Sequence, residues 1–186
     1  MKMNPQLLHT IAELSMIKVG EQRREILQPL INYIWQRHTA IKTVSLNFIC
    51  THNSRRSHLS QVWAQTAAAY YGIQRVACYS GGTQATALFP KVVDTLIHQG
   101  FRINTVSMGK NPVYAIKFGH NDLPVLGFSK KYDDVFNPAA DFAAIMTCSH
   151  AEDNCPFIPG AEKRIPVTYE DPKSSDGTDE QTDRKS

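Results

Sequence analysis

Along the first forty or so residues, apolar positions recur with the spacing of helices. Leu7, Leu8, Ile11 and Leu14 form one stripe, and Ile26, Leu27, Leu30, Ile31, Ile34 and Trp35 form a second, in which Pro29 predicts a kink or a restart. From Val44 onward short apolar runs alternate with amphipathic ones. Val44, Leu46, Phe48 and Ile49 predict a strand over 44–49, while Leu59, Val62, Trp63, Ala67 and Tyr70 predict one face of a helix over 57–71. A strand over 75–78, a Ser80-Gly81-Gly82-Thr83 turn, a helix over 86–98 and a strand over 102–107 follow. This alternation predicts an α/β fold, a parallel sheet flanked by helices. Strands over 113–118 and 124–128 flank Gly119-His120-Asn121-Asp122 and read as an antiparallel hairpin added to that sheet, and 142–146 is a last buried strand. The expected organisation is an N-terminal helical extension over 1–42, a main domain over 43–172 and a tail over 173–186. That tail lacks aliphatic and aromatic residues and is expected to be disordered.

Composition narrows the possibilities. A chain of 186 residues with 42% hydrophobic content suits one domain, burying roughly 70% of its unfolded surface without help from disulfides or metal. The formal net charge is +3 and no basic cluster is interleaved with aromatics, so a small anion is a better expected partner than nucleic acid. The apolar run over 7–17 is interrupted by His9 and Glu13, which argues against a signal peptide or a membrane span. A cytoplasmic location is expected. In that reducing compartment Cys50, Cys78, Cys148 and Cys155 are expected to be chemical or merely buried rather than bridged.

The segment between the first strand and its helix reads Cys50-Thr51-His52-Asn53-Ser54-Arg55-Arg56-Ser57. Amides converging at a helix N-terminus favour a tetrahedral anion, and the same field favours a thiolate at Cys50, because such sites lower thiol pKa values from about 8.5 to roughly 3.5–7.5. Arg56 would close the ring with paired N–H groups. The competing reading is a buried structural cysteine followed by two solvent-facing arginines. Cations at a helix start oppose the dipole unless an anion lies between them.

Cys148-Ser149-His150-Ala151-Glu152-Asp153-Asn154-Cys155 places two thiols around a polar segment beyond a strand end, the edge where open α/β sheets hold ligands. A flexible spacer there would let the sulfurs meet and part as a redox pair. Two unrelated cysteines, or a zinc half-site using His150, are the alternatives.

With these motifs in order the chain resembles the low-molecular-weight protein tyrosine phosphatases, and within them the thioredoxin-coupled arsenate reductases. The resemblance rests on the 50–57 segment followed by Gln61, on Tyr79-Ser80-Gly81-Gly82-Thr83, on Cys148-x6-Cys155-Pro156 and on Glu170-Asp171-Pro172, and spans about 44–172. It implies that Cys50 is the nucleophile, Arg56 the oxyanion clamp and Asp171 the general acid on a mobile loop. It also implies that Asn53 holds the loop, that Ser57 hydrogen-bonds the Cys50 thiolate, and that Thr51, His52, Ser54 and Arg55 complete the cradle. Cys148 and Cys155 would pass oxidising equivalents to a thioredoxin-like reductant.

Departures qualify that expectation. His52 and Arg55 stand where the reductases commonly have glycine and cysteine, and Arg55 is expected to face solvent. Gln61 replaces a glutamate that helps some reductases bind potassium, so neither that ion nor another cofactor is predicted. The family continues past the acid loop into an amphipathic helix covering the sheet, whereas 173–186 has no apolar stripe. Exposed apolar surface is therefore expected, with the N-terminal helices partly filling the gap. Three functions remain: arsenate reduction, hydrolysis of phosphotyrosine or another phosphomonoester, and a catalytically impaired oxyanion-binding module. Lys173, following Asp171-Pro172 where tyrosine phosphatases usually place aromatics, favours the inorganic oxyanion.

Overall fold

Strand β1 (Val44–Cys50) is buried at every position except Ser45, as a strand covered on both faces must be. The structure, a computed structural model, describes residues 3–154 and 157–171. Around β1 four strands form a wholly parallel sheet in the order β2-β1-β6-β7, with β2 at Val76–Gly82, β6 at Phe142–Met146 and β7 at Ala161–Pro166. Alternate residues go to opposite faces. Val44, Leu46, Phe48, Ala143, Ile145 and Ile165 form one cluster with Tyr33, whereas Ile49, Cys50, Phe142, Ala144, Met146 and Cys148 pack with Ala151 and Ile158.

The strand over 102–107 does not join this sheet. It is β3 (Arg102–Ser107), which pairs antiparallel with β4 (Val113–Lys117), itself paired with β5 (Val125–Gly127) in a separate three-stranded sheet. The expected hairpin therefore exists but extends β3, not the parallel sheet. Apart from Ile103, β3 is exposed, so it lacks the two apolar faces a central parallel strand needs. β7 was missed, because Glu162, Lys163 and Arg164 mask an edge strand in which Ile165 alone is buried.

Two other boundaries shift. The predicted turn at 80–83 is mostly strand, since β2 runs through Gly82 and pairs it with Cys50. A Cβ on Gly82 would sit 2.7 Å from Asn53 N and from Thr51 O, so glycine serves here for close approach and not for turning. The helix expected from 86 starts later, as α4 (Pro90–His98), because Pro90 suits a first helical position and holds Phe89 extended before it.

The N-terminal segment is integrated into the fold. Helix α1 (Pro5–Ser15) inserts Leu7 and Ile11 among Leu88, Val92, Leu96, Phe101 and Ile116, while Leu8 and Leu14 of the predicted stripe stay exposed. Asn4 N donates to Phe118 O and Asn4 Nδ2 to Gly100 O, each at 3.1 Å. Helix α2 (Glu21–Thr39) passes Pro29 without the expected restart. Pro29 is exposed, so water can satisfy the carbonyl its ring leaves unpaired. Only Tyr33 of α2 is buried, with Leu27, Leu30 and Ile34 packed against the sheet, and Glu162 accepts from Tyr33 Oη (2.9 Å) and Arg37 Nη1 (2.7 Å). A cavity of about 360 Å³ remains between α2, the sheet and α3 (Arg56–Tyr70). The tail over 173–186, whose disorder is expected from composition, lies outside the described residues.

Candidate active site

β1 delivers Cys50 to the carboxyl edge of the sheet, and the chain turns through residues 51–55 into α3. Asn53 takes the left-handed conformation (φ +44°) and is wholly buried, an arrangement open to asparagine because its short amide can bond locally. Its Oδ1 accepts from Lys130 N at 2.9 Å, which fixes the amide orientation, and its Nδ2 donates to Ser57 Oγ at 2.8 Å. Ser57 Oγ also lies 3.1 Å from Cys50 Sγ. Since the amide occupies a lone pair of the hydroxyl, the single hydroxyl hydrogen is free to point at the sulfur. The chain Lys130 to Asn53 to Ser57 to Cys50 thus aims a donor at the thiol.

Beneath the loop is a polar layer that amphipathic patterning does not reveal. The buried side of α3 carries Ser57, His58, Gln61 and Thr66, whereas Ala67 and Tyr70 of the predicted apolar face are exposed. Gln61 Nε2 donates to Cys78 O at 3.0 Å, and His58 Nδ1 lies 3.3 Å from Ser80 Oγ. Burial, helped by the Lys130 charge, pushes the His58 pKa down to about 3, so the imidazole is neutral. Lys130 is 2% exposed, with its Nζ 4.4 Å from the Phe128 ring centroid and 5.3 Å from that of Phe136. Burial lowers its pKa to about 8 against the opposing pull of Asp134. Burial also drives Cys78 up to about 12, which marks it as an inert structural thiol.

Above the loop Cys50, His52, Ser54, Arg55, Arg56, Thr86 and Asp171 line a cavity of about 260 Å³. Arg56 donates from Nη1 to Tyr169 O and from Nη2 to Asp171 Oδ2, each at 3.1 Å. Arg55 does not simply face solvent: its guanidinium stacks 4.1 Å from the Phe89 ring centroid and borders the cavity. Thr86 Oγ1 and Ser129 Oγ both donate to His52 O, at 3.2 and 2.9 Å, which ties the loop down from outside. Thr86 and Ser129 were not among the predicted residues, because a hydroxyl bonding a distant carbonyl leaves no local pattern.

Cys148 follows β6, the neighbour of β1, and is 1% exposed. Thr51 Oγ1 lies 3.6 Å from Cys148 Sγ and 3.3 Å from His150 Nδ1. The segment expected to be a flexible spacer forms a short helix, α5 (Ser149–Asn154). Ala151 N donates to Cys148 Sγ at 3.4 Å, and Arg164 of β7 holds the helix through Glu152 Oε1 at 2.8 Å and the Glu152 carbonyl. Cys155, the second half of the expected pair, lies outside the described residues. Among the described residues no three His, Cys, Asp or Glu side chains converge as metal ligands.

The profile of the family described as low molecular weight phosphotyrosine protein phosphatase matches residues 45–154. The chain belongs to that family. Among the proteins similar to it are three named arsenate reductase. That of Halalkalibacterium halodurans is 27% identical over 134 residues, 72% of this chain and 78% of the relative. Those of Bacillus licheniformis (27% over 141 residues, 74% and 80%) and Bacillus subtilis (28% over 135 residues, 72% and 78%) are alike in extent. No helix among the described residues of this family member is long and apolar enough to cross a membrane.

Proposed function

We propose that the protein reduces arsenate to arsenite by thiol chemistry. The observation carrying this reading is a second buried thiol, Cys148, placed beside the cradle by adjacent parallel strands and touching the cradle residue Thr51. An arsenate entering the 260 Å³ cavity competes with Asp171 for Arg56, which releases the carboxyl group toward the substrate. Cys50 attacks arsenic while a hydroxyl departs as water with a proton from Asp171, leaving a sulfur–arsenic bond. Cys148 then attacks Cys50 Sγ. The sulfur–arsenic electron pair passes to arsenic, arsenite leaves, and a Cys50–Cys148 disulfide remains. Cys155 attacks Cys148, freeing Cys50, and a thioredoxin-like dithiol reduces the resulting Cys148–Cys155 bond.

One observation favours the phosphatase alternative. A second cavity of about 580 Å³ lies on the other side of Arg56 and Asp171, lined by Leu59, Ser60, Trp63, Tyr169 and Glu170. Its apolar wall could hold the organic part of a phosphomonoester, with Cys50, Arg56 and Asp171 forming and hydrolysing a phosphocysteine. The two activities share a first half-reaction. Parallel assays with arsenate plus a thioredoxin system and with an aryl phosphate separate them: arsenite formation dependent on Cys148 supports reduction, whereas aryl phosphate hydrolysis without arsenite formation refutes it.

A further inference from the structure

Resting on the reductase reading, the attack of Cys148 on Cys50 needs a thiolate at a position that is 1% exposed. Water cannot take the proton there directly. Among the described residues, two polar groups meet the Cys148 sulfur. Ala151 N–H donates to it at 3.4 Å and would stabilise an anion, but it cannot accept a proton. Thr51 Oγ1, at 3.6 Å, can accept from the thiol and at the same time donate onward. The onward partner is His150 Nδ1, 3.3 Å from the same hydroxyl oxygen and on the exposed side of α5. The nearby Glu152 carboxylate is engaged by Arg164.

We propose that Thr51 and His150 form a proton path that activates Cys148, with His150 as a positioning residue acting through the Thr51 hydroxyl. The Cys148 proton moves to Thr51 Oγ1 as the Thr51 proton moves to Nδ1 of an imidazole protonated at Nε2. The sulfur lone pair then forms the bond to Cys50 Sγ. The imidazolium, facing solvent, returns its proton to water. Imidazole suits this task because one ring nitrogen can accept a proton while the other carries one.

The experiment isolates this step from arsenate. In a Cys155→Ser protein, Cys50 is converted to a mixed disulfide with 5-thio-2-nitrobenzoate, and release of the coloured thiol at pH 7 reports attack by Cys148 on Cys50. His150→Ala is expected to slow release by roughly 100-fold, the scale of one general-base contribution. Added imidazole is expected to restore part of the rate. His150→Asn, which can still bond Thr51 but has no basic nitrogen, is expected to remain slow. Unchanged release in His150→Ala, a full rate in His150→Asn, or a slow His150→Ala that imidazole does not rescue would each overturn the proton path. If release depends on His150 as expected yet the unmodified protein makes no arsenite from arsenate, the proton path stands and the reductase reading fails.

Discussion

Lowering the pH should undermine the floor beneath the loop over 51–55 through His58. This imidazole is fully buried against Ser80 and directly follows Ser57 in α3, and its folded pKa is pushed to about 3 from an ordinary 6.5. Between those values the unfolded chain binds a proton that the folded protein refuses, so stability falls as pH drops below 6.5 and levels off only below 3. At pH 5 the unfolded state gains RT ln(1 + 10^1.5), about 2 kcal/mol, and at pH 7 it gains only a small fraction of that. His58 therefore costs the fold about 2 kcal/mol between pH 7 and pH 5, equal to a shift of about 1 M in the urea midpoint for an m-value near 2 kcal/mol/M. Urea unfolding at both pH values, for the natural protein and for His58→Asn, isolates this term because the other titrating groups are common to both. His58→Asn is expected to be less stable at pH 7 but to lose about 2 kcal/mol less on acidification. Equal losses in the two proteins would refute the reasoning and mean that His58 is protonated in the folded state.

Asp171→Asn should slow the step in which the leaving oxygen takes up a proton by roughly 100- to 10,000-fold. Oxyanion affinity, measured by calorimetry, should hold or rise, because the lost Arg56 pair is exposed on the carboxylate side and such pairs contribute at most about 1 kcal/mol. Cys148→Ser should abolish arsenite formation while aryl phosphate hydrolysis persists; equal loss of both would assign Cys148 a structural role. Gly82→Ala should lower stability by about 1–3 kcal/mol in thermal unfolding, since the new methyl meets the loop backbone at Thr51 and Asn53 and cannot be relieved by a side-chain rotation.

The sequence by itself determined the parts of this protein that depend on local periodicity and chain order. The apolar positions Val44, Leu46, Phe48 and Ile49 of β1, the polar loop after it and the helix beyond place Cys50 at a strand end facing a helix start, whatever packs around them. The run Phe142–Met146 likewise sends Cys148 to a strand end. Only the tertiary structure decided which strands are neighbours. A strand's pattern states how many of its faces are buried but not its partner, so β3 could be assigned to the wrong sheet and β7, with one buried residue, passed over. Contacts between distant segments have no local signature either. Lys130 meets Asn53 across 77 positions, and His150 reaches Thr51 across 99, because strands far apart in sequence lie side by side. The buried polar face of α3 was hidden for a related reason: His58 and Gln61 add nothing to an apolar stripe, and only the tertiary fold supplies Ser80 Oγ and Cys78 O as their partners.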